Sequence, residues 1–192
     1  MPDAVITAKN SMLWLEAGYE LFANEGRQGI QIERLARIIQ LNKSGFYHYF
    51  SDLEGFCGEL VKLHEEKVDQ FLLAISKITK LDPDYLLLLV EHTGMVMFQV
   101  QLVRDKGNRS FYQASQLIDQ KINSALSQIW GDFLELDADA DLTLRYYTIV
   151  RDMFYVRVSF QNLDYQFLHN IAADAKKLVA QMRLHQSKFQ SL

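Results

Sequence analysis

The sequence is poor in residues that staple or interrupt a chain. One cysteine in 192 residues excludes an intramolecular disulfide framework and fits a reducing compartment. Two prolines and nine glycines leave few helix breakers, and a 49% hydrophobic content argues against disorder. Positive charge is also scarce. Lys and Arg number 20 against 24 Asp and Glu, a formal net charge of -4, and no basic stripe announces nucleic acid. Residues 1–50 balance five cations (Lys9, Arg27, Arg34, Arg37, Lys43) against five acids (Asp3, Glu16, Glu20, Glu25, Glu33).

The most apolar stretch, 85–103, carries Glu91, His92, Gln99 and Gln101, so it reads as a buried helix and no membrane span is expected. The N-terminus lacks the basic-then-apolar pattern of a signal peptide, so a cytoplasmic location is expected. The five histidines show no i+3 or i+4 pairing, Cys57 has no partner nearby, and H-E-E-K-V at 64–68 is not a zincin motif. Gly-rich phosphate loops, nucleophile elbows and paired carboxylates are missing too. Neither metal, cofactor nor enzymatic activity is expected.

What remains is helix. Within 30–50, Ile32, Leu35, Ala36 and Ile39 recur at i, i+3, i+4 and i+7, one apolar stripe on a two-turn helix. Gln40-Leu41-Asn42 interrupts it, and Asn42 is a competent N-cap for a second helix from Lys43 to about Phe50. Phe46 and Phe50 point inward with Tyr49, leaving Lys43, Ser44, Gly45, Tyr47 and His48 toward solvent. Such a pair is a helix-turn-helix, whose second helix suits the DNA major groove. A solvated face on a helical hairpin is the plainer alternative. On the DNA reading, Lys43 donates to guanine or phosphate, Gly45 permits close backbone approach, Tyr47 clamps a phosphate and His48 does either. Arg27, Arg34 and Arg37 are secondary candidates.

Around this core the chain is all-α, with about nine helices and neither repeats nor convincing strands. A first helix spans about 4–25, with Gly26 at an αL C-cap. Asp52 caps a fourth helix, 52–80, about 40 Å long. Asp82-Pro83 should open a fifth that runs to about Arg104. The pattern from Arg109 to about Leu136 stays helical as one helix or two, and two more helices, about 141–161 and 164–187, close the chain.

The blocks W-L-E-A-G-Y-E-L-F-A-N-E-G (14–26), I-E-R-L-A (32–36) and N-K-S-G-F-Y-H-Y-F (42–50), with the cap at Asp52, resemble the TetR family of bacterial one-component transcriptional regulators. The resemblance covers about a third of the chain. It implies a helix-turn-helix DNA-binding domain over 1–51 and a helical effector-binding and dimerisation domain over 52–192, linked by the helix at 52–80. It further implies a homodimer on double-stranded operator DNA, released as a repressor by a small-molecule effector that shifts the linker helix. An interaction module or regulator of the same architecture, with a protein partner or no ligand, is the alternative. Three positions depart from the family pattern. Gln40 replaces a turn Gly, which strains an αL position. Ile30-Gln31 replaces the usual Ser/Thr at the start of the first of the two helices, losing an N-cap worth roughly 1 kcal/mol and a family-typical phosphate contact, with Gln31 still counted among the DNA-binding candidates. Leu53 replaces a frequent Lys.

In the C-terminal half, Leu168, Ile171, Ala172, Ala175, Leu178, Val179 and Met182 form a continuous seam on the last helix. The preceding helix carries two apolar stripes. Tyr146, Ile149 and Met153 lie on the one expected to join that seam in a four-helix dimer bundle. Tyr147 and Arg151 lie on the other, facing the subunit interior. A guanidinium there is costly unless paired. Its partner is an internal carboxylate such as Glu91, or the acidic end of an otherwise apolar effector lined by His92, Met95, Phe98 and Tyr147, or else the side chain snorkels to solvent.

Overall fold

The structure, a computed structural model, describes the backbone of residues 2–136 and 140–189 and the side chains of 10–136 and 141–181. Within them the chain forms nine α-helices and no strand. It is all-α, as its composition predicts. The helices are α1 (Pro2–Glu25), α2 (Ile32–Ile38), α3 (Lys43–Tyr49), α4 (Leu53–Ile75), α5 (Leu86–Glu91), α6 (Thr93–Arg104), α7 (Arg109–Leu134), α8 (Ala140–Arg157) and α9 (Tyr165–Phe189).

They fall into two compact units that interleave along the chain. The first comprises residues 1–70 and 94–118, and the second 71–93 and 119–192. The expected boundary at 51/52 therefore lies inside the first unit, because most of α4, all but the first residue of α6 and the start of α7 pack with the head. The core of the first unit is aromatic. Trp14 meets Phe46 edge-on, Phe46 and Phe50 close on Phe56, and Phe98 stacks on Tyr19 at 4.3 Å and on Phe22 at 4.4 Å. Aromatic pairs in these geometries add to the area they bury. At Gly18 a Cβ would come within 2.4 Å of the Phe56 ring, so α1 and α4 approach as closely as they do only because that residue has no side chain.

One polar chain crosses this core. Tyr19 Oη lies 2.7 Å from His64 Nδ1, His64 Nε2 lies 3.1 Å from Gln99 Oε1, and Gln99 Nε2 donates to the Ser115 carbonyl at 3.1 Å. The last bond fixes the amide, and the amide then fixes the tautomer: Nε2–H donates to Gln99 and Nδ1 accepts from Tyr19. Burial holds His64 neutral, with its pKa lowered to about 4.

In the second unit, α9 packs on α5 and α8 through Leu168, Ala172, Ala175 and Val179. Helix bounds differ from expectation at several places, the end of α8 at Arg157 instead of about 161 among them. The linker helix ends at Ile75 instead of 80; Ser76 Oγ donates to the Leu73 carbonyl, and the amides of Thr79 and Lys80 donate to Asp84. Asp82 does not cap its own helix. The 82–83 peptide is cis, and the Asp82 carboxylate instead accepts from Tyr165 Oη at 2.7 Å and meets His169 Nδ1 at 2.6 Å, tying the start of α5 to α9. The helix expected over 82–104 breaks at His92, whose backbone leaves the helical region at φ -102, ψ 31. The segment 109–134, expected as one helix or as a short helix followed by a longer one, is one continuous helix. Among the described residues no single helix is long and apolar enough to cross a membrane.

Candidate nucleic-acid interface

The head is assembled from short-range signals. Gly26 takes φ +68 and ends α1. α2 then starts without a side-chain cap, since Gln31 makes no capping hydrogen bond. Gln40 occupies φ +56, the left-handed conformation that a β-carbon disfavours. Asn42 accepts from the Ser44 amide at 3.4 Å to open α3, and Asp52 accepts from the Gly55 amide at 2.7 Å to open α4.

On α3 the side chains divide cleanly. Phe46 and Phe50 are buried and Tyr49 is half-buried, whereas Lys43, Ser44, Tyr47 and His48 are exposed. Tyr47 rests its ring edge-on against Phe46 with centroids 5.5 Å apart, which steadies a phenol pointing away from the core. A Cβ built on Gly45 would meet nothing within 4 Å, so the glycine is not demanded by packing inside the subunit.

Three of the cations around this face, Arg34, Arg27 and Lys43, are already engaged. Arg34 Nη1 and Nη2 form a fork on the Glu25 carboxylate at 2.5 and 2.6 Å, lowering the Glu25 pKa and raising that of Arg34. Arg27 donates to Glu54 at 2.7 Å, and Lys43 Nζ lies 3.6 Å from Glu33. Arg37 is exposed and makes no ion pair among the described residues. Sequence reasoning counted these charges but could not pair them, because each bridge joins two elements. Exposed pairs contribute roughly 0–1 kcal/mol, so phosphates can displace them. Burial pushes the Cys57 thiol up to about 11, in keeping with a packing role.

The expected effector-lining residues are split between the units, Met95 and Phe98 in the first and His92, Tyr147 and Arg151 in the second. Phe98 is fully buried in the Tyr19–Phe22–His64 stack. Met95 is buried as well. His92 lies edge-on to Phe71 at 5.2 Å, and Tyr147 edge-on to Trp130 at 5.9 Å. Arg151 is paired, and its partner is neither Glu91 nor solvent. Its Nη1 lies 3.2 Å from the buried Asp119 carboxylate and its Nη2 2.9 Å from Asp152, while Tyr155 Oη donates to Asp119 at 2.6 Å. Burial opposes the arginine's charge, but the two carboxylates outweigh it and its pKa is raised. The guanidinium's charge is thus compensated within the chain, by Asp119 and Asp152.

The expected dimer seam divides similarly. Leu168, Ala172, Ala175 and Val179 are buried within the single chain, on a helix that packs against α5 and α8. Ile171 is half-buried and Leu178 exposed, while the side chain of Met182 lies outside the described residues. On α8, Tyr146 is half-buried, and Ile149, Met153 and Val156 are exposed, Val156 to 82%.

No family model matches the sequence, and no curated protein matches it. Solved structures do. A transcriptional regulator of the TetR/AcrR family from Aquifex aeolicus VF5 shares 22% identity, with 88% of this chain and 98% of that one covered at a TM-score of 0.57. A protein assigned to the TetR-family transcriptional regulators, from Mesorhizobium loti MAFF303099, shares 12% identity, with 92% and 97% covered at a TM-score of 0.58. Each likeness spans nearly the whole of both chains, head and C-terminal helices together. The chain has the fold of the TetR-family transcriptional regulators.

Proposed function

We propose that the protein is a TetR-family DNA-binding regulator that acts as a homodimer and represses from a near-palindromic operator. The observation that carries this reading is the outer face of α3. Lys43, Ser44, Tyr47 and His48 are exposed beside a glycine that packing does not require, on a helix anchored from behind by Phe46 and Phe50. An interior glycine costs a helix about 0.5–1 kcal/mol relative to alanine, and close approach to a partner from outside accounts for keeping it.

For the dimer, the support is a stripe on α8. Leu142, Tyr146, Ile149, Met153 and Val156 follow one another at alternating steps of four and three, with Phe160 in the turn beyond the helix, and the single chain leaves all of them partly or wholly exposed. That spacing is a seam for another helix. Ile171 and Leu178 on α9 complete it. Two subunits joined there would present paired recognition helices to half-sites about 34 Å apart.

A small-molecule effector is the cue we propose for release, held in the second unit beside the half-buried rings of His92 and Tyr147. The pairing of Arg151 with Asp119 removes the argument for an acidic ligand. It favours, as a second reading, a regulator of this architecture that answers to a protein or to no ligand. A single experiment addresses the central claim. Selection from a random duplex pool should enrich a palindrome bound in a salt-dependent way, log K falling linearly with log salt. Failure to bind any duplex at low salt would refute it.

A further inference from the structure

Glu33 is the second residue of α2 and Lys43 the first of α3, and the turn between the helices brings Lys43 Nζ to 3.6 Å from Glu33 Oε1. Among the described residues it is the loosest of the ion pairs that join two elements of the first unit. Arg34 and Arg27 are held at 2.5–2.7 Å by Glu25 and Glu54, whereas Lys43 and Glu33 keep 62% and 70% of their side-chain surface in solvent. A pair so exposed contributes little to the fold. Its chemistry faces outward: an ammonium donor and a carboxylate acceptor side by side at the start of the helix that faces DNA.

In the major groove a G·C pair shows two adjacent acceptors, guanine N7 and O6, followed by the cytosine N4 donor. A lysine can take both guanine acceptors while a neighbouring carboxylate takes the cytosine amino group. An A·T pair sets its one donor between two acceptors, so a single ammonium cannot take both. A phosphate is the wrong target for such a pair, because the carboxylate repels it.

We propose that Glu33 is a specificity-determining residue, reading cytosine N4 of the same G·C pair whose guanine Lys43 contacts, once in each half-site. The proposal rests on the DNA-binding reading above.

The test is selection from a random duplex pool with the full-length protein as wild type, E33A, E33Q and K43A, followed by affinities for each base pair at each half-site position. Wild type should require G·C at one position by roughly 5- to 100-fold. E33A should lose that preference there and keep the others. E33Q should move it toward A·T, because a glutamine amide pairs with adenine N6 and N7. N4-methylcytosine at that position should weaken the wild type and leave E33A unchanged. An E33A profile identical to wild type would overturn the proposal and leave DNA binding standing. Uniformly tighter binding of E33A to every sequence would also overturn it, marking Glu33 as a mere repelling charge. If wild type binds no duplex, both readings fall.

Discussion

At Gly45 the fold and the proposed function make opposite demands. Open space surrounds its missing Cβ, so Gly45→Ala should leave thermal stability unchanged or raise it by about 0.5–1 kcal/mol. The same substitution should weaken operator binding at least tenfold if α3 lies close against DNA. Urea melts and a binding titration on one preparation separate the two effects, and unaltered affinity would remove Gly45 from the interface. His64 makes a different kind of prediction. Its folded pKa of about 4 lies below the ordinary value of 6.5, so the unfolded chain takes up the proton first as pH falls. The stability from the neutral, doubly hydrogen-bonded ring is complete above about pH 6.5 and is lost progressively down to pH 4. This loss is on the order of 3 kcal/mol. A His64→Gln variant should show a flatter decline over that window, and equal slopes would place the acid sensitivity elsewhere. Neither feature of His64 was legible in the sequence, because its partners Tyr19 and Gln99 lie 45 and 35 residues away.

Between α2 and α3, a single turn residue carries the strain. Gln40 adopts φ +56 without a glycine's freedom, so Gln40→Gly should stabilise the protein by about 1 kcal/mol, read as a higher unfolding midpoint. A loss of stability would mean that the side chain makes a compensating contact. This strain was readable only through the family resemblance, which places a glycine there. The caps at Asn42 and Asp52, the αL ending at Gly26 and the inward pair Phe46 and Phe50 were readable from the residues, because they depend on neighbours within four positions. The break at His92 was not readable. Residues 85–90 are apolar on every side, so no period marks a face, and Gly94 lies two residues past the break, inside α6. Whether 109–134 holds one helix or two was hidden as well, because the helical pattern is unbroken throughout and α7 is one helix. The fate of the α9 seam was equally hidden. An alanine-rich stripe permits close approach of any helix, and here α5 and α8 of the same chain use it.

For the whole molecule, the decisive question is whether two heads read DNA together. The exposed stripe on α8 predicts that Val156→Arg yields a folded monomer with weak operator binding, because Val156 is 82% exposed and supports little of the subunit's own core. Sedimentation and circular dichroism would show this, and an intact Val156→Arg dimer would place the interface on another surface. The measurement that bears most directly on the account is the operator affinity of the Lys43→Ala, Tyr47→Ala double variant beside wild type, over a range of salt. Each substitution should cost about 1–3 kcal/mol, with a shallower salt slope for the charge removed. An unchanged affinity and slope in the folded double variant would contradict the assignment of α3 as the recognition helix.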